Sequence, residues 1–130
     1  MISNAEEHYT KIGQCIFDKI PHDFEIAYAR VEMLDDVGSL GVFYETSEGR
    51  YVYINEGISD LFNIFRDLRD GFKSELGYTW TTATFRIDKI GRMSIDIGYE
   101  DISDFGLAPE RRKEWIKKYL GESPVIDWGG

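Results

Sequence analysis

Apolar and polar residues alternate with a period of two over residues 79–87 and again over 93–99. Ala83, Phe85 and Ile87 fall on one side, with Trp80, Thr82, Thr84 and Arg86 on the other. Met93, Ile95, Ile97 and Tyr99 likewise oppose Ser94, Asp96 and Gly98. Two such runs joined by a short Asp/Lys/Gly turn predict a β-hairpin over 79–99, with one buried face and one wet face. Shorter runs over 24–34, 40–45 and 50–54 predict a three-stranded meander, turned at Asp35-Asp36-Val37-Gly38 and Thr46-Ser47-Glu48-Gly49.

Elsewhere the period is helical. Ala5, Tyr9, Ile12, Ile16 and Ile20 form one stripe of a helix near 3–20, opened by a Ser3/Glu6 capping box and closed by Pro21. Ile58, Leu61, Phe62, Phe65, Leu68 and Phe72 mark a second helix near 58–75, stopped by Gly77. Pro109 suits the first turn of a third, near 109–120, whose apolar side is Trp115, Ile116, Tyr119 and Leu120. The order α-β-β-β-α-β-β-α predicts a single α+β domain over 1–121, an antiparallel sheet with helices packed on one face. The expected core includes Ile12, Ile16, Val31, Phe43, Leu61 and Phe65, together with Leu68, Phe85, Ile95, Ile97 and Trp115. The tail 122–130 carries Val125, Ile126 and Trp128, which could dock on the domain or on a partner.

Charge narrows the choice of partner. Asp and Glu number 24 against 15 Lys and Arg, a net charge of −9. Nucleic acid is a poor match, because binding it relies on cations that neutralise phosphates. A cationic protein is a better one, since opposite fields speed encounter; solubility alone is the competing explanation. No apolar run is long enough for a membrane span, and no secretory signal is visible at the N-terminus. Cys15 is the single cysteine, so no internal disulfide framework is expected. These features together lead to the expectation of a cytoplasmic protein without membrane or nucleic-acid partners.

Catalytic chemistry has little to stand on. His8 and His22 lack the spacing of a helical metal pair, and no nucleotide or nucleophile motif occurs, so neither metal nor cofactor is expected. Glu100 with Asp101 or Asp104 could act as acid and base, or hold a divalent cation; turn acids more commonly stay solvated or cap the next element. Acids cluster in two stretches, Glu32, Asp35 and Asp36 in one, and Asp96, Glu100, Asp101 and Asp104 in the other. Meeting at one rim of the sheet they would make a single patch; otherwise they are two unrelated loops. Trp80, on the polar side of the hairpin, is either an exposed binding anchor or a residue covered by a helix.

Several of these stretches together resemble a known family. They are W-T-T at the start of the hairpin, I-D-I-G-Y-E-D-I-S-D at its end, and P-E-R-R-K-E-W-I-K-K-Y-L-G. I-G-Q-C-I-F-D-K-I-P and E-M-L-D-D-V-G-S-L-G-V-F-Y add to them. The chain is similar to the YezG-type antitoxin and immunity family from near its start to about Gly121. The most specific part is Tyr99-Glu100-Asp101 with Glu110-Arg111-Arg112, Trp115 and Tyr119-Leu120-Gly121. Relatives often carry a longer insert between the positions of Tyr53 and Ile58. The resemblance implies a cytoplasmic, non-catalytic protein, encoded beside a secreted toxin that is often a nuclease, which neutralises that toxin by binding it. The expected contacts are Glu32, Asp35, Asp36, Glu100, Asp101 and Asp104, with Trp80 as an apolar anchor. A small carboxylate- or metal-dependent enzyme, or a regulatory module in a homo-oligomer, are the alternatives.

Overall fold

Two helices and one sheet face form the main core because their apolar stripes match. The structure, a computed structural model, describes residues 5–35 and 37–129. Ser3 of the expected capping box and Asp36 lie outside the described residues. Helix α1 (Ala5–Lys19) buries Ala5, Ile12 and Ile16 and stops just before Pro21. Helix α2 (Ser59–Leu76) buries Leu61, Phe65, Leu68 and Phe72. It ends where Gly77 turns left-handed at φ 80° and donates its N–H to Lys73 O, a conformation glycine takes at no steric cost.

Both helices lie on one face of a six-stranded sheet. Its strands are β1 (Ile26–Leu34), β2 (Val37–Glu45), β3 (Tyr51–Ile54), β4 (Thr82–Asp88), β5 (Met93–Gly98) and β6 (Ile126–Asp127). The spatial order is β5-β4-β1-β2-β3-β6. Every pairing is antiparallel except β3 with β6, which is parallel. The α+β reading and the element order therefore hold, and β6 joins them. The tail docks on its own domain: Tyr51 pairs with Ile126, and Tyr51 N–H donates to Val125 O at 2.8 Å.

Helices occupy both faces, where one had been expected. Helix α3 (Ala108–Tyr119), entered through a short 3-10 helix at Phe105–Leu107, lies on the face opposite α1 and α2. There Trp115 stacks near Phe43 at 4.9 Å between ring centres and meets Tyr28 edge-on at 5.9 Å. The reason is visible in the strands: Tyr28, Phe43, Tyr51 and Tyr53 give this face aromatic surface that water alone would leave exposed. Tyr53 also lies so close over Gly41 that a Cβ there would come within 2.6 Å of its ring.

The expected core loses part of Ile95 and Ile97 and gains Trp80, expected as a binding anchor or a helix-covered residue. Ile95 and Ile97 are only half-buried, because β5 is an edge strand with cover on one side. Trp80 is fully buried at 0% exposure, within the α1/α2 core. Thr81 N–H donates to Gly98 O at 2.9 Å, while Thr82 is Gly98's pairing partner. Two residues thus face one, as in a β-bulge, and the extra residue reverses the alternation before Thr82. Trp80 consequently falls on the side of Ala83.

Candidate acidic rim and groove

The strand register brings the two acidic stretches to one end of the sheet. Glu32 of β1 pairs with Thr82 of β4, and Thr82 pairs with Gly98 of β5. Asp35 follows directly after β1, and Glu100, Asp101 and Asp104 follow β5. The only residues between the paired Leu34 and Val37 are Asp35 and Asp36, so the hairpin connection is tight. Asp35 sits at φ 54°, a left-handed conformation that Asp tolerates better than most side chains. Helix α2 fixes this corner through Arg69, whose guanidinium donates to Trp80 O at 3.0 Å and Asp35 O at 3.5 Å.

The individual carboxylates play different parts. Asp35, Glu100, Asp101 and Asp104 are exposed. Glu32 is 8% exposed and lies between two guanidiniums, 3.2 Å from Arg30 and 2.8 Å from Arg111. As an even-numbered residue of β1 it points under α3, so its carboxylate is engaged within the fold rather than offered to a partner. Trp80, buried as described, offers no indole surface either. Arg111 also donates to Asp104 O at 3.0 Å, which ties the start of α3 to the acidic loop.

That loop is ordered by its own residues. Thr81 donates its hydroxyl to Glu100 O at 2.6 Å and Thr82 donates to the Glu100 carboxylate at 3.2 Å, so both threonines of W-T-T hold Glu100. Asp101 accepts from Ser103 N–H, and Asp104 accepts from Gly106 N–H, each at 2.9 Å. Hydrogen bonds from Ser103, with help from the charge of Arg111, hold the Asp101 carboxyl below the usual aspartate range. Ile102, 3% exposed, pins the loop between them. The rim therefore presents charges on a braced backbone.

Behind the rim lies a groove of about 540 Å³ between α3 and the β1–β4–β5 surface. It exists because α3 covers the aromatic half of this face and leaves the β4–β5 half open. Glu32 and Glu100 line it, joined by Asp96 and by Glu110 and Glu114 from α3. Arg30, Arg111 and Lys118 are its cations, and the first two are occupied by Glu32. Acids therefore outnumber cations along its lining, although Glu110 also pairs with Lys113 at 3.8 Å and Asp96 accepts from Tyr119. In the sequence Glu110 stood out only as part of Glu110-Arg111-Arg112, and Glu114 not at all; their four-residue spacing on one side of α3 was the available signal for a shared place in the groove. Among the described residues no group of three or more His, Cys, Asp or Glu side chains is placed to hold a metal ion. No helix among them is long and apolar enough to cross a membrane.

Two side chains lock α3 over the groove. Trp115 Nε1–H donates to Thr84 Oγ1 and Tyr119 O–H donates to Asp96, both at 2.8 Å. Burial and the Asp96 hydrogen bond push the Tyr119 phenol up to about 12 from 10.0. A raised folded value means stability that is complete below the unfolded pKa of about 10 and lost as pH climbs through the folded one. Ultraviolet titration should show the Tyr119 phenol ionising near pH 12, with alkaline loosening of α3 beginning above about pH 10. Tyr119→Phe should remove that late-ionising group.

Comparison with known proteins follows the same residues. A sequence model of the family described as "Immunity protein YezG-like" matches residues 5–128. A protein named Immunity protein YezG, from Bacillus spizizenii (strain W23), is 30% identical over 133 residues, covering 89% of this chain and 82% of that protein. A protein of the same name from Bacillus subtilis (strain 168) is 24% identical over 149 residues, covering 89% of this chain and 99% of that protein.

Proposed function

The chain belongs to the YezG-like immunity protein family, and on that premise we propose that it neutralises a cationic toxin, a nuclease, by binding it directly through the acidic rim. The observation that carries this reading is the convergence of exposed Asp35, Glu100, Asp101 and Asp104 at one end of the sheet. A nuclease needs cations around its cleft to hold phosphates. An anionic rim on a rigid sheet fits that cleft and competes with the nucleic acid. In this reading the protein performs no catalysis and works in the cytoplasm, where the delivered toxin would meet its substrate. Glu32 serves indirectly, by fixing Arg111 and hence the acidic loop.

Co-expression with the toxin domain encoded beside this chain tests the proposal. The wild-type chain should protect the cell. Reversing Glu100 and Asp101, or Asp35 and Asp36, to lysine should reduce protection and slow association by about tenfold or more at low salt. Circular dichroism should show each variant folded. A Glu100→Lys/Asp101→Lys variant that is folded and binds with wild-type affinity and salt dependence would exclude the rim as the interface.

A further inference from the structure

The rim carries aromatic surface as well as charge, and the fold makes no use of it. Tyr78 and Tyr99 are 57% and 55% exposed, and their rings meet tilted at 57° with 6.0 Å between centres. They stand where the chain enters β4 and leaves β5, beside the bulge that buries Trp80. Neighbours of both are held: Gly98 is paired in the sheet and Glu100 O accepts the Thr81 hydroxyl on either side of Tyr99, while Gly77 N–H donates to Lys73 O and the Thr79 hydroxyl to Arg69 O on either side of Tyr78. Leu107, 52% exposed, lines the groove together with Gly98 and Glu100. Glu100 and Asp101 follow Tyr99 directly in the chain, and Arg69 links Asp35 to Trp80, two residues after Tyr78.

We infer that the Tyr78–Tyr99 pair is the apolar anchor of the toxin interface, seated on an arginine-bearing patch of the cationic partner. The inference rests on the function proposed above and names the contact that supplies most of its affinity. An apolar centre ringed by charges is the usual anatomy of a tight protein interface, and Tyr is among its commonest anchors. Charge complementarity selects the occupant. Tyrosine faces attract guanidinium groups, and the flanking carboxylates can accept their N–H donors. A second copy of this chain would bring like charge against like, given a net charge of −9. Rings fixed on ordered backbone also lose little conformational freedom on binding, which favours them as anchors.

The test is stopped-flow and calorimetric binding of the neighbouring toxin domain to the wild-type chain and to a Tyr78→Ala/Tyr99→Ala variant. Both tyrosines are more than half exposed, so the melting temperature should hardly move. Affinity should fall by about 30-fold or more, carried by faster dissociation. The dependence of the association rate on salt should stay as in wild type, which separates this contact from the rim acids. A folded variant binding within about twofold of wild type would overturn the inference and leave the proposed function standing. Failure of the wild-type chain to bind would overturn both. A wild-type dimer that the double substitution makes monomeric would show the patch to be a self-association surface and overturn the inference.

Discussion

Replacing Phe85 with alanine should lower the unfolding free energy by about 3–5 kcal/mol. Phe85 is 0% exposed in the middle of β4, paired with Ala29 on one side and Ile95 on the other. Its ring lies among Ala27, Ala29 and Ala83 on the face covered by α1 and α2. Ala29, paired directly with it, is too small to fill the space the ring would leave, and Ile95 on the other side is held in the sheet register. Poor collapse places a truncation at the costly end of its class. Phe65 on α2, also 0% exposed, should behave similarly from the helix side. Ile90, 70% exposed in the β4–β5 turn, is the control, and its truncation should change little. Urea unfolding measures all three. An unchanged midpoint for Phe85→Ala would mean that the buried face has been assigned wrongly.

Glu32→Gln should cost a similar amount, about 3–5 kcal/mol, for an electrostatic reason. The substitution keeps the shape and removes the charge. It leaves Arg30 and Arg111, with side chains 14% and 15% exposed, facing each other without a carboxylate between them. Burial already holds the Arg30 guanidinium below its usual pKa, a sign that its charge is poorly hydrated there. Replacing Glu32, Arg30 and Arg111 together with apolar residues of similar size should restore most of the loss, since the penalty comes from orphaned charge. The same variants distinguish the structural role of Glu32 from a contact role. A Glu32→Gln protein with wild-type stability and weakened toxin binding would return Glu32 to the interface.

The helices and the meander were legible because their periods are long and clean. The stripe from Leu61 to Phe72 and the alternation from Ala83 to Ile87 each repeat often enough to fix a face. Trp80 escaped because one bulged residue reverses parity, and nothing in W-T-T announces a bulge. Glu32 looked like a surface acid because its partner Arg111 lies 79 residues away in sequence. The meeting of both acidic stretches followed from strand order, which hairpin patterns left open. Strand β6, two residues long, has no period at all; its place is set by Trp128, which packs on Tyr53 at 5.1 Å beneath the Arg112 guanidinium at 4.8 Å. Tyr78 and Tyr99 could have been paired from the hairpin register, since they flank its open end.

The most direct test of the central claim is the association rate of the chain with its cognate toxin domain, measured as salt rises from about 0.01 to 0.15 M. Over that range the screening length shrinks from about 30 to 8 Å. If the acidic rim guides binding to a cationic cleft, the association rate should fall steeply while dissociation barely changes. Reversing Glu100 and Asp101 to lysine should flatten that slope. A complex whose association rate is indifferent to salt, or the absence of any complex, would contradict the account.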